Sequence, residues 1–211
     1  MTRGRLILLS LCDRTGNWSR PYAEDPAYEV VRIDLGDDQK GQDVRLLPHI
    51  DRPVHGILAA PPCTHFSTAA GVRSWGKKGV EAVIEGMQVV DACMRMVAIY
   101  DPVWWALENP SGRLKYWLGP FSWTFQPYQY GGYLQAGEKT LNCSLFPTND
   151  AYTKRTLVWG TAAKPESKPV AVTLPPRPKG GWRNPCFAAR HEAHRSATPL
   201  GFARAFKMAN P

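Results

Sequence analysis

Four short apolar runs in this chain each stop at a polar or reactive side chain, and that repetition restricts the folds open to it. Residues 5–12 read RLILLSLC and run into Asp13, and residues 28–35 read YEVVRIDL, with Asp34 at their end. Residues 56–60, GILAA, stop at Pro61-Pro62-Cys63, and residues 103–107, VWWAL, stop at Glu108-Asn109-Pro110. Short, nearly continuous apolar runs are the pattern of buried strands. Between the third and fourth runs, Val80, Val83, Ile84, Met87, Val90, Met94 and Val97 recur at spacings of three and four. That period predicts an amphipathic helix over residues 79–100, with its methionines in the core. A short helical segment separates the first two runs. The alternation implies a parallel sheet with right-handed crossovers, which puts Asp34, Cys63 and Glu108 along one edge. In open α/β sheets that edge is where ligands bind.

Pro61 and Pro62 lack the backbone N–H that a strand needs, so the third run cannot continue past them. Cys63 is therefore expected on a stiff loop at a strand end. On position alone, a nucleophile and a small buried hydrophobe are both open for it.

A chain of 211 residues is long enough for one domain with a proper core and too short for two full domains. Hydrophobic content of 44% with 21% charged residues is that of a soluble globular protein. No apolar stretch approaches the roughly 20 residues that cross a bilayer, and the first apolar run is too short for a signal peptide. Five cysteines at scattered spacings give no disulfide framework, so a cytoplasmic location is expected. The net charge of +8 is uneven: from residue 151 onward Lys and Arg number 11, against Glu166 and Glu192 alone. Such a bias is either a solvated face or a contact surface for a polyanion. A turn-rich loop after the first run, with an acid roughly 20 positions on at the end of the second, is the layout of nucleotide-type cofactor sites.

Residues 120–150 are turn-rich and aromatic, and residues 156–159 form a further strand. Residues 161–181, broken by prolines, read as an extended basic region. Thr198 as N-cap and Pro199 in the first turn start a final helix.

Taken in order, LLSLCDRTGNWS, RIDL, GQDV, APPCTHFS, ALENP, YTKRTLVWG and RSATPLGFARAF resemble the motifs of the cytosine carbon-5 DNA methyltransferases, most of all the compact versions of bacteriophages. The resemblance covers roughly residues 5–160 and 195–210. It implies an α/β, Rossmann-like S-adenosylmethionine-dependent fold with a mainly parallel sheet and a reduced target-recognition segment. The expected organisation is a catalytic and cofactor-binding domain over residues 1–160, a basic recognition-like segment over 161–194, and a C-terminal helix over 195–211 that returns to the catalytic domain.

Carbon 5 of cytosine is a poor nucleophile, so the family adds a thiolate to carbon 6 and turns the ring into an enamine. Cys63 matches that nucleophile. Glu108 matches the acid that protonates ring nitrogen 3, and Arg155 the cation on the base carbonyl, with Lys154 as a neighbour that alignment could confuse with it. For S-adenosylmethionine, the resemblance implies Leu11, Asp13, Thr15 and Gly16 in the first loop, and Asp34 on the ribose hydroxyls with Leu35 beside it. Asp43 would meet the adenine amino group, and Pro62 would complete the site. The implied partner is double-stranded DNA. The sequence departs from the family at Arg14, where small residues are usual, at Thr64 in place of a common Gln, and at Pro110 in place of a common Val.

Residues 68–79, TAAGVRSWGKKG, are expected to be a mobile loop that closes over an extruded cytosine. Gly71, Gly76 and Gly79 would serve as hinges, Trp75 would fill the vacated stack, and Lys77 and Lys78 would hold phosphate. Arg177, Lys179, Arg183 and Arg190 suit phosphates better than base edges, so short or degenerate target sites of about two to four base pairs are expected. Cys143, Cys186, His191 and His194 do not have a common zinc-finger spacing, and no metal is expected. Modification of RNA or a nucleotide, transfer of a group other than methyl, and a catalytically silent DNA binder are the competing functions. A thymidylate synthase also uses a cysteine on a pyrimidine but would lack the first loop and the acidic strand end.

Overall fold

A computed structural model of the protein describes residues 4–36, 41–67, 79–141, 146–173 and 196–211. The described residues hold six strands, β1 (Leu6–Leu11), β2 (Tyr28–Ile33), β3 (Val54–Ala59), β4 (Trp104–Pro110), β5 (Trp123–Phe125) and β6 (Thr156–Gly160), in one sheet of order β2-β1-β3-β4-β6-β5. The helices are α1 (Arg20–Ala23), α2 (Gly79–Tyr100), α3 (Lys115–Leu118) and α4 (Leu200–Ala209).

The first four strands are parallel, with Leu11 level with Ile33 on one side and Ala59 on the other, and Ala59 level with Leu107. The expectation of a mainly parallel sheet holds to this point. β6 then runs antiparallel to β4, pairing Val158 with Glu108, and β5, which sequence reading missed, pairs antiparallel with β6. Three residues inside a turn-rich stretch carry too little pattern to announce a strand. After β2 the chain returns across β1 to lay down β3 on its other side. The crevice at the C-terminal ends of β1 and β3 is therefore the topological switch point, where open α/β sheets take ligands.

Both faces of the sheet are covered. Ile7, Leu9, Leu11, Ile57, Ala59 and Leu107 pack with Val90, Cys93 and Met96 of α2. Leu8, Leu58, Trp104, Ala106 and Val158 pack on the other face with Trp18, Tyr22, Phe202 and Phe206. Each wholly buried aliphatic side chain here contributes about 1.5–3 kcal/mol. Of the expected stripe of α2, Val90 is buried and Val83, Met87, Met94 and Val97 pack partly buried against the core, but the most deeply buried line is displaced from it. Val80 and Ile84 are exposed, and Gly86, Val90, Cys93 and Met96 face inward. A Cβ at Gly86 would lie 3.0 Å from the Phe66 ring and 3.2 Å from that of His65, so a side chain there would press on both rings, and the bare helix lets the turn that follows Cys63 rest on it closely.

The start of α4 corrects the expected cap. Pro199, in an extended conformation, is the N-cap, and Thr198 is buried. The free N–H groups of the first turn are met from elsewhere in the chain: Leu200 N–H donates to Thr140 Oγ1 at 2.7 Å and Gly201 N–H to Asp150 Oδ2 at 3.0 Å. The Thr140 hydroxyl donates to Asp150 Oδ1 at 2.6 Å, which closes a buried knot. Asn149 and Asp150, both with positive φ, aim the carboxylate inward. From that anchored end α4 lays Phe202 flat on Phe125, centroids 3.7 Å apart, and Phe206 edge-on to Trp18. Its end is fixed by the Tyr22 hydroxyl, which donates to the Asn210 carbonyl at 2.7 Å. Residues 161–173 form no regular element but are tied down, with Val170 N–H donating to Tyr128 O and Thr173 N–H to Ala151 O. No helix among the described residues is long and apolar enough to cross a membrane.

Candidate active site

Cys63 follows β3 on a turn whose shape is fixed by its own carbonyl, which accepts from the N–H groups of Phe66 at 3.0 Å and Ser67 at 2.9 Å. The turn is bolted to its surroundings on three sides. Ala60 N–H donates to Leu11 O at 2.9 Å, Asn109 Nδ2 donates to Pro61 O at 2.9 Å, and Arg113 donates through Nε to His65 O at 3.0 Å and through its backbone N–H to Phe66 O at 2.9 Å. The Cys63 thiol is half-buried and not in a disulfide. Pro62, beside it, is exposed.

Glu108 lies near the C-terminal end of β4, one parallel strand away, and is only 5% exposed. Its Oε2 is buried with no hydrogen-bond partner, and the neighbouring Asn109 Oδ1 is likewise unpartnered. Burial pushes the Glu108 carboxyl above its ordinary range; the positive charge of Lys154 pulls it partly back, and Asp13 adds to the rise. A carboxyl biased toward its neutral form, with an oxygen not used by the protein, is equipped to donate a proton to a buried acceptor.

Asp13 sits at the end of β1 and is 3% exposed. Its Oδ2 accepts from Ser10 Oγ at 3.1 Å, Ser19 N at 3.0 Å and Ser19 Oγ at 2.9 Å. Asp13 thus pins the first loop to the strand and to α1. Gly16 N–H donates to Asp13 O at 2.8 Å, and Gly16 takes φ +69°, a conformation that favours glycine. Arg32, on β2, braces the same loop from outside by donating to Asp13 O and Arg14 O. Thr15 Oγ1 accepts from Asn17 N–H, and the buried Asn17 Nδ2 has no partner. The loop therefore carries a donor that the protein itself does not satisfy.

The remaining expected cofactor residues divide by location. The Leu11 side chain is wholly in the core on the α2 side, so it is the backbone of Leu11 that reaches the crevice, where its carbonyl holds Ala60. Asp34 follows directly after β2, half-buried, with Oδ1 accepting from Gly36 N–H at 2.7 Å, and Leu35 is half-buried next to it. Asp43 caps the turn Val44–Leu46 and is gripped by the Arg45 guanidinium through both oxygens at 2.7–3.0 Å, which lowers its carboxyl below the usual range. Its oxygens are already engaged.

The structure brings Asp13, the Cys63 turn and Glu108 to one edge. Arg155 is exposed, and its carbonyl accepts from Ser111 N–H. The adjacent Lys154 is the cation whose charge reaches Glu108, and its Nζ lies 3.5 Å from Ala197 O. Sequence reading missed the positioning roles of Asn109, Ser19 and Arg32. The Asn of ALENP was visible, but its partner, a proline carbonyl 48 residues away, was not. Residues 68–78 of the expected mobile loop, the basic residues Arg177, Lys179, Arg183 and Arg190, and the cluster Cys143, Cys186, His191 and His194 lie outside the described residues, while Gly79, expected as a hinge, opens α2 with φ +75°. No group of three or more metal-ligating side chains occurs among the described residues.

No protein-family model matches the chain, and no curated protein matches it. Among solved structures, a prophage-encoded E. coli protein described as a putative DNA modification methyltransferase aligns with it at 16% identity and a TM-score of 0.45. The alignment covers 74% of this chain and 46% of that one, so the chain spans about half the length of the structure it matches, and neither fold nor activity is taken from the likeness.

Proposed function

We infer that the chain is an S-adenosylmethionine-dependent DNA methyltransferase acting on carbon 5 of cytosine. The observation that carries this reading is the coupling of Cys63 to Glu108. The turn that carries the half-buried thiol is held to β4 by the Asn109 amide, which donates to the Pro61 carbonyl, and β4 presents a buried carboxyl with an unpartnered oxygen.

In this reading Cys63, as thiolate, forms a bond to carbon 6 of an extruded cytosine, and the electron pair displaced from the 5,6 double bond makes carbon 5 nucleophilic. Glu108 donates its proton to ring nitrogen 3, so the ring does not carry the full negative charge. S-adenosylmethionine, when bound, supplies the electrophilic methyl group that carbon 5 takes up. Loss of the carbon 5 proton to a base then restores the double bond and expels Cys63 as thiolate, and ring nitrogen 3 returns its proton to Glu108. The loop after β1 and the end of β2 fit the cofactor in their donor set: the unsatisfied Asn17 amide and the half-buried Asp34 offer a hydrogen-bond donor and an acceptor at neighbouring strand ends. Asp13 supports that site by shaping the loop.

The deciding experiment incubates the protein with duplex DNA and methyl-labelled S-adenosylmethionine, digests the product to nucleosides and separates them. Label in 5-methylcytosine is expected. Label in another nucleoside, in RNA or free nucleotides only, or in nothing while the protein still binds DNA, would overturn the reading in favour of a different substrate or a silent binder.

A further inference from the structure

The segment after Glu108 is not used by the proposed chemistry, yet it is fastened to the nucleophile's turn. Ser67 and Gly112 form an isolated antiparallel bridge, Arg113 holds both His65 O and Phe66 O, and the Phe66 ring meets Trp117 edge-on at 5.7 Å. From this base α3 projects Lys115, Tyr116 and Trp117 into solvent; Tyr116 is 75% exposed and Trp117 45%. Each aromatic ring has a cation beside it, with the Arg113 guanidinium 5.6 Å from the Trp117 centroid and Lys115 Nζ 5.1 Å from that of Tyr116. Tyr116 and the outer part of Trp117 are left in water, which forgoes hydrophobic stabilisation.

We propose that Arg113, Lys115, Tyr116 and Trp117 form a nucleic-acid-binding surface for the DNA strand flanking the target nucleotide. Interleaved cations and exposed rings are the chemistry that holds a phosphodiester backbone while stacking on unpaired bases. Position selects the partner. A strand whose nucleotide is delivered to Cys63 has to continue over the surface next to the Cys63–Ser67 turn, and the patch is rooted in that turn. Extruding a nucleotide leaves its neighbours partly unstacked, and Tyr116 and Trp117 offer them a replacement surface. Residues 109–137 hold Arg113 and Lys115 and no Asp or Glu, and this local basic charge favours a polyanion over a second copy of the protein.

The inference rests on the proposed DNA substrate, and its test separates the two. Affinity for a fluorescein-labelled duplex with an unpaired cytosine at its centre is measured by anisotropy across a salt series, for wild type, Tyr116→Ala, Lys115→Ala and Tyr116→Ala/Trp117→Leu. Tyr116 is exposed enough for its substitution to leave the fold intact, which a thermal melt confirms. Tyr116→Ala should weaken binding about fivefold or more, and the double variant further. Lys115→Ala should reduce the slope of log affinity against log salt by about 0.7–0.9. Wild-type binding with unchanged affinity and slope in all variants overturns the surface assignment and leaves the proposed reaction standing. Absence of wild-type DNA binding overturns both. Wild-type self-association that Tyr116→Ala abolishes, with DNA affinity unchanged, reassigns the patch to a second copy of the chain.

Discussion

The side-chain amide of Asn109 donates to the carbonyl of Pro61 at 2.9 Å, and this one hydrogen bond joins the loop that carries Cys63 to the strand that carries Glu108. Asn109 is 1% exposed, so the bond lies in a low-dielectric setting where a lost partner costs about 1–3 kcal/mol. Asn109→Ala is expected to lower stability by that amount and to slow capture of 5-fluorocytosine DNA by about 10- to 100-fold through misplacement of the thiol. Rates of adduct formation, followed by mass spectrometry at a temperature where the variant stays folded, check it. An unchanged rate would mean that the turn holds its shape without Asn109.

Cys63→Ala should abolish methyl transfer while leaving S-adenosylmethionine binding within a few-fold of wild type, because in the proposed reaction Cys63 acts on the base. Calorimetric titration of the cofactor and a nucleoside assay report the two properties separately. Retained activity above a few per cent would remove Cys63 from the mechanism.

Glu108 carries a pH prediction in two parts. Burial raises its folded value above the unfolded one, so its contribution to stability is full below the unfolded value and is lost as pH rises through the folded value. Glu108→Gln, which keeps the shape and cannot ionise, should therefore raise the melting temperature at pH 8 and not at pH 4. A gain of about 1 kcal/mol corresponds to about 2–4 °C for a chain of this size. The same variant should lose at least 100-fold in turnover. Lys154→Met, by removing the charge that opposes the rise, should move the alkaline limb of the activity profile to higher pH. A limb that stays in place would show that Lys154 does not act on Glu108.

Asp13→Ala removes the acceptor of three hydrogen bonds in the first loop. Leaving Ser10 and Ser19 without it should cost about 2–4 kcal/mol and weaken cofactor binding more than tenfold. Asp13→Asn, which retains one oxygen acceptor, should recover part of both. Denaturant titration and cofactor calorimetry decide the matter, and equal cofactor affinity in Asp13→Ala would exclude the loop from the binding site.

Asp150→Ala should destabilise the protein by about 2–4 kcal/mol, since the Thr140 hydroxyl and the Gly201 N–H lose their buried acceptor. Hydrogen exchange is expected to show faster opening of α4 than of β1. Protection equal to wild type across residues 200–209 would contradict this account of the helix cap.

Periodicity alone was enough for β1, β2, β3, β4 and α2, because apolar runs and the 3.6-residue repeat are local properties that each segment carries by itself. The placement of Cys63 and Glu108 at one edge followed as well, since parallel strands joined by right-handed crossovers leave their C-terminal ends on the same side. What the sequence could not carry was pairing over distance. The short β5, the antiparallel pairing of the expected strand β6, the displacement of the most buried line of α2 toward Gly86, and the capping of Leu200 and Gly201 by Thr140 and Asp150 all depend on which surfaces meet. The charge at Glu108 shows the same division. The motif TKRT points to Arg155 as the cation with Lys154 as its neighbour, whereas tertiary packing leaves Arg155 in solvent and sets Lys154 where its field reaches the buried carboxyl. A residue's type is written in the chain, whereas its dielectric surroundings and its partners exist only once distant segments have come together.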